Sequence, residues 1–191
     1  IGFKGDIYIT GGVGIFHKAE RIIDKDKISI EKKYLYVGRL IECKNLRFLI
    51  ERFNDNGKPL TIVGKGELEQ ELKALAKENI NFKGFIENDN LPEVYKDHDV
   101  FILPSRTEPW GLVVDEAIYW GLPIVVSDRV GCSNEMVITP KTGVTFELDN
   151  INSFNSAINN IEQNYKQYRD NAISFDFEKR DKKQINAYFK L

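Results

Sequence analysis

Two glutamates eight positions apart, Glu108 and Glu116, frame the stretch of this sequence richest in reactive side chains: Pro104-Ser-Arg-Thr-Glu-Pro-Trp-Gly-Leu-Val-Val-Asp-Glu116. On one continuous helix that offset would set both carboxylates on nearly one face, two turns apart. Pro109 and Gly111 interrupt the path, so Glu108 falls in a loop and Glu116 in the second turn of a helix running from Gly111 to Trp120. The N–H groups of Gly111, Leu112 and Val113 then lack intrahelical acceptors, and the helix dipole adds partial positive charge. Together they form an anion site that the bare Gly111 leaves open to a phosphate. Facing the phosphates, a carboxylate would be repelled. Glu116 fits there as an acceptor from a neutral diol, as on a ribose. The plain alternative is a capped helix carrying two surface acids.

Cations and glycines recur at comparable places. Arg39 and Lys44 follow the apolar run Tyr34–Val37, with Gly38 between. Asn45 stands where a helix N-cap would, so Lys44 sits near a helix start, where a cation opposes the dipole by roughly 0.3–1 kcal/mol. Its placement there suggests a bound anion, with an ordinary surface ion pair as the alternative. Gly64 and Gly66 flank Lys65 after the run Leu60–Val63 and could line the same cleft or simply make a turn.

The elements that must position these groups alternate between strand and helix patterns. Tyr34–Val37, Leu60–Val63, Ile80–Phe82, Val100–Leu103 and Pro123–Val126 read as short strands, continuously apolar where both faces are covered. Between them, Leu46, Leu49, Ile50 and Phe53 recur at helical spacing, as do Leu68, Leu72 and Leu75; Leu91 to Lys96 reads as a short helix. Two or three more helices are expected from Ile151 onward. This alternation predicts an α/β fold, a doubly wound Rossmann-like parallel sheet with helices on both faces. Ligands of such sheets bind beyond the carboxyl ends of the strands, where the residues above collect. Asp6–Thr10 reads as a further strand before the loop Gly11–Gly14, which lacks the full dinucleotide-binding spacing. Residues 1–33 are therefore assigned as a linker and first-strand region, and 34–191 as the ligand-binding domain.

Composition limits the function classes. A chain of 191 residues with 42% apolar and 29% charged residues can bury a normal core, which excludes a disordered tail or a disulfide scaffold. A net charge of −2 gives no basic footprint for nucleic acid or an anionic membrane. No apolar run approaches the roughly 20 residues of a membrane span. The N-terminus has no signal-peptide pattern. Cys43 and Cys132 lie in unrelated segments with no metal-ligand spacing, and read as free thiols of a cytoplasmic protein. His17 and His98 read as structural or surface residues. The chain starts at Ile1 and its single methionine is Met136, so a piece of a longer protein is expected.

In this order, Gly38-Arg39, Lys44-Asn45, Gly64-Lys-Gly-Glu67, Phe82-Lys-Gly-Phe85, Pro104-Ser105, Glu108-Pro-Trp-Gly111, Glu116-Ala117, Gly121-Leu-Pro-Ile-Val125 and Gly131 with Glu135 resemble the C-terminal, donor-binding lobe of retaining GT-B glycosyltransferases of the family 4 type. The likeness spans about Lys33 to Glu147. It departs mildly at Gly131-Cys132, commonly Gly-Gly in the family, and at Gly11 to Phe16, which stands in place of a common Asn-Gly-Val-Asp stretch. The resemblance implies that Arg39 and Lys44 hold the donor diphosphate and stabilise it as it leaves, with Gly38 among the donor-binding residues. It assigns phosphate and sugar contacts to Gly111, Leu112 and Val113, the ribose hydroxyls to Glu116, and the transferred sugar to Glu108. Gly64 and Gly66 would line the donor cleft, and Ile86 and Leu91 would lie near the base. The implied substrate is a UDP- or GDP-sugar, with no essential metal and no other cofactor. The implied acceptor is a glycan or lipid-linked glycan held by an N-terminal lobe not contained in this sequence, as in bacterial surface polysaccharide synthesis. The full-length protein would work in the cytoplasm, with peripheral membrane association at the inner face left open. The 191 residues alone are expected to transfer no sugar. A non-catalytic nucleotide-sugar-binding module, or a GT-B sugar-nucleotide epimerase, is the alternative.

Overall fold

The computed structural model describes Arg21, Ile23 and residues 31–189. The expected strand Asp6–Thr10, the loop Gly11–Gly14 and His17 lie outside the described residues. Six parallel strands form one sheet: β1 (Tyr34–Val37), β2 (Leu60–Val63), β3 (Ile80–Gly84), β4 (Val100–Leu103), β5 (Ile124–Ser127) and β6 (Gly143–Phe146). Their order across the sheet is β3-β2-β1-β4-β5-β6. The chain winds outward from β1 to β3, then returns to the other side of β1. The crevice where the direction reverses, between β1 and β4, is where such sheets hold ligands.

Among the described residues the helices are α1 (Leu46–Asn56), α2 (Glu69–Leu75), α3 (Leu91–Asp97), α4 (Leu112–Tyr119), α5 (Ile151–Gln163), α6 (Tyr165–Ile173) and α7 (Phe177–Phe189). Helices α1, α2 and α5 share one face of the sheet, with Phe48 of α1 packed edge-on against Phe154 of α5 at 5.5 Å. Helices α4, α6 and α7 share the other, where Tyr119 meets Phe177 at 5.7 Å. Strands β1, β4 and β5 are buried along their whole length, as their unbroken apolar runs require. The α1 stripe Leu46, Leu49, Ile50 and Phe53 is equally buried, each side chain contributing roughly 1.5–3 kcal/mol. Among the described residues, no helix is long and apolar enough to cross a membrane.

The sheet differs from the sequence expectation at its edges. Strand β6 carries no apolar run, only Gly143-Val-Thr-Phe, and pairs with β5 because Gly143 lets the backbones meet: a Cβ there would lie 1.9 Å from the Ile124 carbonyl oxygen. The π-helical turn Ser133–Ile138 between β5 and β6 had no sequence signal either. Leu75 shares the helical stripe of Leu72 but is 37% exposed, because α2 ends beside the short edge of the sheet. Asn45 does stand at the N-cap of α1, yet in a left-handed conformation (φ 57°) with no capping bond from its side chain. Its amide instead donates to Asp149 at 3.1 Å, tying the β1–α1 loop to the loop after β6.

Candidate functional site

The loops at the carboxyl end of the sheet are stacked backbone on backbone. Gly38 N–H donates to the Val63 carbonyl at 3.0 Å, Leu40 N–H to Lys65 at 3.0 Å, and Gly64 N–H to Gly84 at 2.7 Å. Gly64 and Gly66 make this possible. A Cβ at Gly64 (φ +136°) would lie 1.9 Å from the Gly38 carbonyl oxygen, and one at Gly66 2.3 Å from that of Leu40. The steric need for both glycines is thus the neighbouring loop. Gly64 also borders the cavity described next, whereas Gly66 does not.

That cavity has a volume of about 400 Å³ and opens beyond β1, β2 and β3, with α4 forming its far wall. Val37, Val63, Ile86, Leu91 and Val113 supply an apolar lining; Arg39, Lys65, Asn88 and Glu116 supply polar groups. Of the twelve residues singled out from the sequence, seven border it: Gly38, Arg39, Gly64, Ile86, Leu91, Val113 and Glu116. Lys65 and Phe85 were not singled out. Both are exposed on the rim, the ammonium 4.9 Å from the ring centroid. Phe85 follows Gly84, whose left-handed φ of 69° turns the chain sharply at the end of β3.

Of the other five, Gly66 belongs to the stacked loops just described, Glu108, Gly111 and Leu112 lie on the β4–α4 loop and the start of α4, and Lys44 reaches that loop from the segment before α1. Gly111 is the N-cap of α4 in a left-handed conformation (φ 99°), and the helix begins at Leu112 rather than at Gly111. The N–H groups of the first turn, Leu112 and Val113, point out along the axis. The loop is zipped to the segment after β5: Glu108 forms a parallel bridge with Val130, and Gly131 N–H donates to the Glu108 carbonyl at 2.8 Å. Lys44 lies in a short 3₁₀ turn just before α1, and its ammonium is paired with the carboxylate of Glu108. The partner that offsets its unfavourable placement is therefore a glutamate from 64 residues away. Both side chains are largely buried, at 14% and 13% exposure. Arg39 is exposed, and its backbone carbonyl accepts a hydrogen bond from Tyr36 Oη at 2.9 Å.

Two buried contacts support this loop and helix from below. Tyr95 of α3 is 1% exposed and donates its hydroxyl to Glu116 Oε2 at 2.8 Å. Burial raises the Glu116 carboxyl above its usual range, and the Tyr95 hydrogen bond opposes that rise. Burial also drives the Tyr95 phenol well above its ordinary value, so it remains a donor. One residue earlier, Asp115 is 1% exposed; its Oδ2 meets Arg180 of α7 at 3.0 Å and Trp110 Nε1 at 3.4 Å. Burial pushes the Asp115 carboxyl up to about 6, against the lowering effect of Arg180. Its Oδ1 is buried without a hydrogen bond among the described residues. Neither contact announces itself in sequence: a tyrosine four residues after Leu91 reads as core, and Arg180 lies far along the chain. His98 is buried, with Nδ1 against the Val94 carbonyl at 2.6 Å and its pKa lowered mainly by burial, as suits a structural residue. Both cysteines are free thiols.

A doubly wound sheet whose crevice gathers cations, an open helix start and carboxylates has the ligand-binding architecture of a Rossmann-like domain. Residues 18–175 match the family model "Glycosyl transferases group 1", and the chain belongs to that family. The chain is 34% identical over 137 residues to the UDP-Gal:alpha-D-GlcNAc-diphosphoundecaprenol alpha-1,3-galactosyltransferase of Escherichia coli, covering 65% of this chain and 35% of that one. Among solved structures, the lipopolysaccharide outer core galactosyltransferase WaaB superposes with a TM-score of 0.74 at 20% identity, covering 97% of this chain and 56% of that one. Anabaena Alr3699/HepE, solved in complex with UDP, superposes with a TM-score of 0.68 at 20% identity, covering 84% and 49%. At such identities the superpositions establish the fold alone. The chain spans 28–40% of the length of the curated relatives it matches first.

Proposed function

We propose that this chain is the C-terminal, donor-binding lobe of a retaining glycosyltransferase of the family 4 type, which moves a hexose from a UDP- or GDP-sugar to a glycan or lipid-linked acceptor. The observation that carries this reading is the cavity in which Arg39 and Glu116 share an apolar lining, next to Lys44, Glu108 and the start of α4. Its volume suits a small-molecule ligand. The chemistry divides along it. Ile86 and Leu91 would take the flat, apolar faces of a base. Glu116 would accept hydrogen bonds from the ribose diol. Arg39, Lys44 and the N–H groups of Leu112 and Val113 would hold the diphosphate and stabilise its charge as the sugar leaves, work that needs no essential metal. Glu108, released from Lys44 by the incoming phosphates, would contact the transferred sugar.

Acceptor binding and the exclusion of water would belong to a second lobe, so the 191 residues alone should bind donor and transfer nothing. The whole protein would act in the cytoplasm, with peripheral attachment at a membrane where its acceptor is lipid-linked. The test is calorimetric titration of UDP, GDP and ADP against the wild type and the Arg39→Ala and Glu116→Ala variants. One nucleotide should bind, and each variant should weaken it at least about tenfold, the scale of a lost charge-assisted hydrogen bond. If none of the three binds, or neither variant matters, the cavity is not a nucleotide site. Conversion of a donor sugar without any acceptor would instead favour an epimerase.

A further inference from the structure

Among the described residues Glu116 is the one carboxylate that lines the cavity, and it accepts a single hydrogen bond, from underneath. Leu91 and Tyr95 are four residues apart on α3, hence on the same side of that helix. Leu91 reaches the cavity wall. Tyr95 runs below it, packed against Phe101 of β4 with ring centroids 6.3 Å apart, and ends at Glu116 Oε2. The other oxygen, Oε1, accepts no hydrogen bond from the described residues and is not among the buried unpartnered atoms, so it remains accessible. A glutamate side chain has three rotatable bonds, and gripping two vicinal hydroxyls requires that its carboxylate plane be fixed beforehand. It also requires the ionised form, which burial disfavours and a hydrogen bond to the carboxylate favours.

Resting on the reading of Glu116 as the diol acceptor, we propose that Tyr95 is a positioning residue that sets the preference of this site for ribonucleotides over 2′-deoxyribonucleotides. It touches no ligand. It fixes one oxygen of Glu116 so that the other meets the diol, and its hydrogen bond favours the charged carboxylate against burial. The Tyr95 ring packs on Phe101, and among the causes acting on the Glu116 carboxyl, burial is opposed by the Tyr95 hydrogen bond alone.

The experiment uses whichever of UDP, GDP and ADP binds tightest, and its 2′-deoxy analogue, titrated from pH 5 to pH 8. In the wild type the ribonucleotide should bind more tightly than the deoxy form, with the preference fading as Glu116 protonates. Tyr95→Phe should weaken ribonucleotide binding about five- to tenfold, the net worth of one ordinary hydrogen bond, and leave the deoxy form nearly unchanged. It should also move the acid limb of binding to higher pH. In a Glu116→Ala background Tyr95→Phe should make no further difference, whereas a general loosening of the fold would still show. Incorporating 3-fluorotyrosine at position 95 keeps the shape while making the phenol a stronger donor, and should move the acid limb to lower pH. If the wild type binds and Glu116→Ala abolishes its ribose preference, yet Tyr95→Phe or the fluorinated residue changes neither the preference nor the acid limb, the role of Tyr95 is overturned while the site stands. If Glu116→Ala leaves the preference intact, the reading of Glu116 itself fails.

Discussion

Arg180→Met should destabilise the protein in a manner that grows with pH. Asp115 and Arg180 are each under a tenth exposed and meet at 3.0 Å. In the folded state burial lifts the Asp115 pKa from 3.8 to about 6, with Arg180 as the largest opposing influence. For an acid raised on folding, stability is fully present below the unfolded pKa and is lost as pH climbs through the folded one. The interval from 3.8 to about 6 corresponds to about 3 kcal/mol, lost between those pH values in the wild type and constant above them. Without the guanidinium the folded pKa rises further, so the loss continues past 6. Relative to wild type, the variant should lose roughly nothing at pH 5 beyond packing, and increasingly more at pH 7 and pH 8, by up to about 1.4 kcal/mol for each pH unit between the two folded pKa values. Methionine has a comparable stem, so the pH-independent part should stay small. Urea unfolding at the three pH values measures the difference, and Asp115→Asn/Arg180→Met should remove its pH dependence. A gap between wild type and Arg180→Met that is the same at pH 5 and pH 8 would refute the reasoning.

Other substitutions separate the remaining forces. Gly64→Ala, with its Cβ 1.9 Å from the Gly38 carbonyl, should cost about 3 kcal/mol or more and lower Tm by about 10 °C; Gly57→Ala, also at positive φ but with nothing within 4 Å, should cost only about 1–2 kcal/mol. Equal losses from the two would show that backbone conformation alone, not loop contact, demands Gly64. Tyr34→Phe removes a 2.8 Å hydrogen bond to Glu162, which Lys58 also holds at 2.8 Å, and should cost about 1 kcal/mol in chemical denaturation. Glu108→Gln should free the Lys44 ammonium and raise affinity for a bare nucleoside diphosphate up to about fivefold at low salt, while Lys44→Met should lower it. Calorimetry showing weaker binding for Glu108→Gln would mean that the pair itself organises the phosphate site.

What could be read from the sequence follows the range of the forces involved. Strands β1, β4 and β5 are covered on both faces, so burial writes itself into unbroken apolar runs such as Val100-Phe-Ile-Leu103. The α1 stripe is legible for the same reason. Strand β6 was not, because its place depends on Gly143 fitting against Ile124 rather than on its own composition. At the site, Arg39 stands out just past a strand and Glu116 in the early turns of a helix, and they border one cavity. Tyr95 did not, since its ring belongs to the core and only its hydroxyl reaches the site. Lys44 looked as if it required an anion. That it meets Glu108, 64 residues away, is a matter of folding geometry that spacing cannot express. The glycines at 64 and 66 read as cleft lining or a plain turn, and what requires them is that they admit the next loop.

That stacking of loops has a consequence for how such a domain can diverge. The hydrogen bonds among residues 38–40, 63–68 and 84 extend the sheet past its last strand residues, so the floor of the cavity is continuous with the most rigid part of the molecule. An insertion there would break a ladder, not lengthen a loop. Lys65, Phe85 and Asn88 stand at the rim above that floor as exposed side chains. Exchanging them alters what the rim touches without disturbing what holds it up. Ligand preference in this architecture can therefore drift by point substitution, at little risk to folding.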